Sequence, residues 1–95
     1  MKQPCVYILA NTARGTLYIG VTSDLIKRVW EHQQDLVDGF SKVHQTHLLV
    51  YFEQTDDMLA AITREKQLKQ WNRAWKIELI EKTNSDWRDL YLGLI

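Results

Sequence analysis

An arginine and a histidine lie four residues apart in a stretch with the pattern of an amphipathic helix. Arg28 and His32 follow the strand-like run 17–21, and a spacing of four places two side chains on one helix face. Arginine holds two phosphate oxygens at once, and histidine titrates near pH ~6.5 and can accept a proton. This face could therefore meet a phosphate. The simpler interpretation of this helix alone is a solvated surface, on which Asp24 pairs with Arg28 and His32 has no role.

A single carboxylate falls inside the apolar face of a second predicted helix. The apolar arc of that helix consists of Met58, Ala61, Ile62 and Leu68. Glu65 lies within the arc, where an unpaired buried charge would cost several kcal/mol. Glu65 therefore needs a metal ion, a catalytic partner or a structural one. An internal salt bridge, for example to Arg28, and a position at the exposed edge of the arc are the structural alternatives.

Three strands and several helices must position these side chains. Runs rich in β-branched and aromatic residues predict strands at 5–10, 17–21 and 47–53, and the Asn and Gly between the first two suit an antiparallel hairpin. The predicted fold is α+β, with a small antiparallel or mixed three-stranded sheet flanked by helices. A chain of 95 residues predicts one domain, spanning residues 1–95.

Helical periodicity begins where the second strand ends. The first predicted helix is capped by Ser23 or Asp24 and stops at Gly39, with Leu25, Val29 and Leu36 as its inward stripe. A second helix follows the acidic run 55–57 and extends at least to Trp71. Shorter helices are predicted at 74–81 and 85–91.

Taken in order, these motifs resemble the GIY-YIG nuclease domain. The first motif, "CVY", ends in Tyr7, "YIG" stands at 18–20, an arginine follows ten residues after the second tyrosine, and a glutamate lies on a later helix. "RVWEH" and "REKQLKQW" are similar to the small stand-alone members of the family. The first motif departs from the usual pattern, because Cys5 and Val6 replace its Gly and Ile.

The resemblance implies a function and a cofactor. It implies a metal-dependent endonuclease that hydrolyses phosphodiester bonds in DNA rather than RNA, is structure-selective or weakly specific, and acts in repair or recombination. Glu65 would be the single protein ligand of a Mg²⁺ or Mn²⁺ ion, a hard cation that keeps most of its waters. The alternative is a catalytically weak nucleic-acid binding or protein-interaction module on the same scaffold.

The resemblance also implies roles for individual side chains. Tyr7 and Tyr18 would flank the attacking water and the scissile phosphate, and Arg28 would neutralise the transferring phosphoryl group. His32 would assist proton transfer, the more so because Val21 stands where some members carry a lysine as candidate base. The catalytic set so implied is Tyr7, Tyr18, Arg28 and His32, and Glu65 is the metal ligand.

Further residues are candidates for contact with nucleic acid. This set is Gly20, Lys42, Lys69, Asn72 and Arg73. His44 is a weaker candidate in the same segment as Lys42. Asn72 could hold a phosphate, if the helix continues that far, or cap the next helix. Trp71 and Trp75 could stack on unpaired bases, but packing into the core is the favoured interpretation.

Composition limits the function classes. Twelve Lys and Arg balance twelve Asp and Glu, so long-range attraction of nucleic acid is weak, and a protein partner could supply affinity for the substrate. There is no apolar run of ~20 residues, and polar residues interrupt the N-terminal apolar stretch, which predicts a soluble cytoplasmic protein without a membrane span. Cys5, the single cysteine, is expected to pack as a small hydrophobe.

Overall fold

The structure is a three-stranded sheet with helices packed on both of its faces, and the computed structural model describes residues 3–37 and 39–95. Strands β1 (Cys5–Ala10), β2 (Leu17–Thr22) and β3 (Leu48–Gln54) form one antiparallel sheet in the order β2-β1-β3. The helices are α1 (Leu25–Gln33), α2 (Phe40–His44), α3 (Met58–Gln70) and α4 (Arg73–Thr83), and a 3-10 turn follows at Leu90–Gly93. The predicted α+β fold is confirmed, and the sheet is antiparallel rather than mixed.

The central strand β1 is buried along its whole length. Its alternate side chains enter two separate apolar clusters, as expected for a strand covered on both faces. Cys5, Tyr7 and Leu9 pack with residues of α1, whereas Val6, Ile8 and Ala10 pack with residues of α3 and α4. Cys5 is a buried free thiol, as predicted.

Helix α1 ends earlier than its sequence pattern predicts. The Asp24 side chain caps it by accepting from the Lys27 amide, but the helix stops at Gln33 instead of Gly39. Asp35 then adopts a left-handed φ of 55°, and Leu36 is 63% exposed. The inward stripe therefore ends at His32, a buried polar residue with hydrogen-bond partners, and the prediction of an inward Leu36 was wrong.

Gly39 begins a helix instead of ending one. It lies immediately before α2 with a φ of 93°, a conformation that glycine adopts without the steric cost of a Cβ. The short helix α2 brings the chain back toward the tyrosine-bearing face of the sheet.

The C-terminal third contains one predicted helix that does not form. Asp57 caps α3 through the Ala60 amide, and α4 matches the predicted piece at 74–81. Residues 85–89 are not helical, because the buried Asn84 side chain donates to the carbonyls of Val50 and Arg88, and Trp87 takes a φ of 57°. No helix within the two described ranges is long and apolar enough to cross a membrane.

Gly20 allows two tyrosines to share one face of the sheet. Gly20 and Tyr7 are cross-strand partners, and a Cβ added at Gly20 would lie 2.4 Å from the Tyr7 hydroxyl and 3.0 Å from the Tyr18 ring. The absence of a side chain at position 20 is therefore what lets the Tyr7 ring lie across β2.

Gly20→Ala should destabilise the fold by about 1–3 kcal/mol, because the buried Tyr7 ring must shift to accept the methyl group. Urea denaturation at constant slope measures this change. Gly93→Ala is the matched control, since nothing lies within 4 Å of the Cβ position there, and its stability should stay within ~0.5 kcal/mol of the unmodified protein. A Gly20→Ala protein as stable as the Gly93→Ala control would contradict the close-packing role.

Candidate active site

Three of the predicted catalytic side chains meet on one face of the sheet. The ring centroids of Tyr7 and Tyr18 lie 6.3 Å apart, those of Tyr7 and His32 lie 5.7 Å apart, and those of Tyr18 and His32 lie 5.1 Å apart. Strands β1 and β2 supply the tyrosines, and the last turn of α1 supplies the histidine. The sequence prediction thus named residues that lie together in space.

His32 is buried and fully engaged in hydrogen bonds. Its exposed fraction is 2%. Its Nε2 lies 2.9 Å from the Tyr7 hydroxyl, and its Nδ1 lies 2.7 Å from Ser41 Oγ. The interpretation of His32 as a solvated surface histidine without a role is therefore wrong.

The hydrogen-bond chain beyond His32 has a direction. Ser41 Oγ lies 2.7 Å from Thr46 Oγ1, which donates to the Ser41 carbonyl at 3.5 Å. One assignment satisfies every group in this chain: Thr46 donates to the carbonyl, Ser41 donates to Thr46, and His32 Nδ1–H donates to Ser41. In this tautomer His32 Nε2 carries no proton and accepts from the Tyr7 hydroxyl.

Burial sets the protonation states of this pair. Desolvation, together with the electrostatic effects of Arg28 and His47, lowers the pKa of His32 from 6.5 to about 4. Desolvation, reinforced by Tyr18, raises the pKa of Tyr7 well above its ordinary value of 10, although Arg28 acts in the opposite direction. At neutral pH the site therefore holds a protonated phenol and a neutral imidazole, and the value near 6.5 expected for His32 from sequence is too high.

Arg28 acts on Tyr7 and His32 through its charge, but its ion pair is with another residue. Its guanidinium lies 3.6 Å from the Glu31 carboxylate in a partly exposed pair, and such pairs contribute ~1 kcal/mol or less. Asp24, the partner considered from sequence, instead caps α1. Arg28 is therefore a cation that a phosphate could recruit at small cost.

Glu65 has a local partner that its spacing allows. The carboxylate is 16% exposed and lies 3.3 Å from Lys69, four residues further along α3. Arg28, the salt-bridge partner considered from sequence, pairs elsewhere. The charge of Glu65 contributes to the raised pKa of Tyr7, so the carboxylate lies within electrostatic range of Tyr7.

The predicted nucleic-acid contacts do not form one surface. Lys69 lines a cleft of about 260 Å³ with Tyr18, and Lys42 is exposed on α2. Gly20, in contrast, is buried against the tyrosine rings and shapes the site.

Asn72 and Arg73 lie at the junction of α3 and α4. Helix α3 ends at Gln70 and does not continue to Asn72. Of the two roles predicted for Asn72, capping of the next helix is confirmed, because its side chain accepts from the Trp75 amide at 2.9 Å. Arg73 donates to the carbonyls of Arg14 and Gly15 in the β1–β2 turn.

Three residues at or beside the site were not singled out from the sequence. They are Phe40, Ser41 and Thr46. Ser41 and Thr46 carried no spacing signal, because a hydroxyl becomes a partner of His32 only once the segment 39–47 has folded back. The one signal in the sequence that could have identified this segment as part of the site was Phe40, an aromatic residue directly after a glycine.

His32→Gln should flatten the pH dependence of stability. Between pH 6.5 and 4 the unfolded chain protonates its histidine and the folded protein does not, so the free energy of unfolding falls as the pH is lowered through this window. The stabilisation that the buried neutral His32 provides is fully present above pH 6.5, and ~3 kcal/mol of it is lost as the pH falls through this window. Urea denaturation at pH 7, 5.5 and 4.5 measures it. The exposed His44→Gln is the control, and parallel profiles for the unmodified protein and His32→Gln would contradict the buried neutral histidine.

Comparisons with known proteins identify the family of this chain. The sequence model of the GIY-YIG catalytic domain matches residues 3–78. A UPF0213 protein of Pediococcus pentosaceus is 37% identical over 76 residues, which cover 80% of this chain and 79% of the relative. A UPF0213 protein of Syntrophus aciditrophicus is 34% identical over 83 residues, covering 86% and 94%. No solved structure matches the chain. Since the catalytic-domain match spans most of the sequence and includes both tyrosines, Arg28, His32 and Glu65, the chain belongs to the GIY-YIG family of nuclease domains.

Proposed function

We propose that the protein is a divalent-metal-dependent endonuclease that hydrolyses phosphodiester bonds in DNA. The observation that most directly supports this is the 2.9 Å hydrogen bond between Tyr7 Oη and His32 Nε2. It joins a phenol to a neutral imidazole that can accept a proton. Arg28 and Glu65, whose charges both act on Tyr7, add a cation for the phosphate and a carboxylate for a metal ion.

The proton of the attacking water passes inward through Tyr7. Because the raised pKa of Tyr7 keeps the phenol protonated, Tyr7 gives its proton to His32 Nε2 as it takes one from the water. The resulting hydroxide oxygen bonds to phosphorus while the bond from phosphorus to the leaving oxygen breaks, and solvent protonates the leaving oxygen. His32 is the final acceptor although it does not touch the water.

Arg28 acts on the phosphate and on the histidine together. Its planar donors suit two phosphoryl oxygens and stabilise the charge that develops on them. In the free protein the charge of Arg28 lowers the pKa of His32. A phosphate bound to Arg28 offsets that effect, so substrate binding makes His32 a better proton acceptor.

Glu65 is the residue that would hold the Mg²⁺ or Mn²⁺ ion. Within the described part of the chain no group of three or more His, Cys, Asp or Glu side chains could share a metal ion. One carboxylate fits a hard cation that keeps most of its waters and takes an oxygen from the substrate. The pair with Lys69 is worth roughly 0.3–0.5 kcal/mol, so a cation can displace it. When bound, such an ion stabilises negative charge on the phosphoryl oxygens.

A nucleic-acid binding module without turnover is the second candidate. The low exposure of Tyr7 and His32, 2% each, favours it, because a substrate must reach the hydroxyl of Tyr7 past Tyr18. Incubation with branched, flapped, nicked, single-stranded and duplex DNA and with matched RNA, in Mg²⁺, Mn²⁺ or chelator, separates the two. Metal-dependent cleavage of branched DNA would support a structure-selective enzyme of repair or recombination. Binding without cleavage would support the module.

Glu65→Gln should abolish cleavage and weaken Mn²⁺ binding while leaving the fold intact, because an amide has the same shape but lacks the full negative charge that a hard cation requires. Cleavage of a labelled branched substrate and calorimetric titration with Mn²⁺ measure the two effects. The control is Glu78→Gln, an exposed carboxylate on α4, which should behave as the unmodified protein. Full cleavage or unchanged Mn²⁺ binding in Glu65→Gln would remove its metal-ligand role.

Arg28→Ala should lower the cleavage rate at least ~10²-fold, as for other single groups that stabilise developing charge. The melting temperature should change little, because Arg28 makes only a weak, partly exposed ion pair. Single-turnover kinetics and thermal unfolding give the two readouts, with the exposed neighbour Lys27→Ala as control. A large loss of thermal stability in Arg28→Ala would show that the residue is structural.

A further inference from the structure

A cleft opens beside Tyr18 at the edge of the sheet. Its volume is about 260 Å³, and β2 supplies one wall through Leu17, Tyr18 and Ile19. The remaining lining residues come from three different helices: Phe40 from α2, Lys69 from α3 and Lys76 from α4. Because Tyr18 also contacts His32, the cleft adjoins the candidate active site.

One wall of the cleft is aromatic and open to solvent. Phe40 is 50% exposed, and its ring stacks on Tyr18 with centroids 6.4 Å apart and an angle of 24° between the planes. Its ring centroid also lies 4.2 Å from that of His44. Since α2 has five residues, too few to be stable alone, these two ring contacts help to hold it, while half of the Phe40 surface stays open to solvent.

Two of the lining residues of the cleft are positively charged. Lys76 forms no ion pair with any residue in 3–37 or 39–95, and Lys69 makes only the weak pair with Glu65. The lining contains no acidic side chain. The cleft therefore combines an aromatic ring with two cations, of which Lys69 is held only by a weak pair that an anion can displace, although the molecule as a whole has zero net charge.

We propose that this cleft binds one unpaired nucleotide of the substrate, with its base stacked on Phe40 and its phosphate held by Lys69 and Lys76. Base–aromatic stacking combined with a cationic groove is the general way in which proteins hold single strands. A base inside an uninterrupted duplex has both faces covered by its neighbours and cannot stack on Phe40. The preferred substrate is therefore DNA with a single-stranded branch or flap. This inference rests on the proposed function and specifies its substrate.

Binding measured without metal tests the cleft independently of cleavage. Fluorescence anisotropy in chelator, with a labelled single-stranded oligonucleotide, a flapped duplex and a plain duplex, should show the plain duplex binding most weakly. Phe40→Ala should weaken single-strand and flap binding about tenfold and leave duplex binding unchanged. Lys76→Met should weaken single-strand binding and lower its salt dependence by about 0.7 in the slope of log affinity against log salt.

Two further variants test whether misfolding at α2 causes the loss of binding, and a third tests whether the loss is specific to this cleft. Phe40→Leu keeps the apolar volume and should bind single strands as weakly as Phe40→Ala, whereas Phe40→Trp keeps an aromatic face and should bind normally. Trp75, 55% exposed on α4 and absent from the cleft lining, supplies the control Trp75→Ala, which should have no effect. Normal single-strand binding by Phe40→Leu, or a larger loss in Trp75→Ala, would overturn the proposal.

The same assays separate this inference from the nuclease itself. Cleavage of flapped DNA together with single-strand binding that ignores Phe40 and Lys76 would overturn the cleft alone. Selective single-strand binding through Phe40, with no cleavage in Mg²⁺ or Mn²⁺, would overturn the nuclease and leave the cleft in place as part of a binding module.

Discussion

The site depends on one close contact, that between the Tyr7 ring and the backbone of Gly20. Tyr7 lies on the central strand β1, and its buried ring extends over Gly20 of the neighbouring strand. A side chain at position 20 would occupy the space that the end of this ring fills. Because Tyr7 can extend over Gly20, its hydroxyl meets His32 and its ring lies close to Tyr18. The catalytic arrangement is thus a consequence of cross-strand register.

Burial sets the protonation states of the groups in this arrangement. A polar chain from Tyr7 through His32 and Ser41 to Thr46 lies inside the protein with every hydrogen-bonding group matched, and no buried side-chain nitrogen or oxygen of the described residues lacks a partner. Desolvation keeps the imidazole neutral and the phenol protonated. Charge is confined to the margin of the site, where Arg28, Glu65 and Lys69 remain partly exposed and can respond to a phosphate.

Sequence patterns predicted the sheet well because its strands are short apolar runs whose burial requires no special partner. The end of α1 was mispredicted because the apolar Leu36 fits the spacing of the inward stripe. The last buried residue of that stripe is instead the polar His32, and its hydrogen-bond partners come from α2 and the segment after it. The pairing of Lys69 with Glu65 could have been predicted, since the two residues have the spacing of a helical ion pair. Ser41 and Thr46 were not, because their role exists only in the folded chain.

The order of the strands has a consequence for how the site is assembled during folding. Tyr7 and Tyr18 belong to a hairpin closed by a short turn, whose ends meet at little entropic cost. His32 and the hydroxyls behind it are fixed only when the segment that leads to β3 closes over the sheet, and β3 pairs with β1 across a long sequence separation. Contacts of that kind form more slowly than local ones. The two tyrosines are therefore positioned by local structure and the proton acceptor by long-range structure, so an opening of the α1–β3 segment would disconnect the acceptor while the tyrosine-bearing hairpin stayed intact.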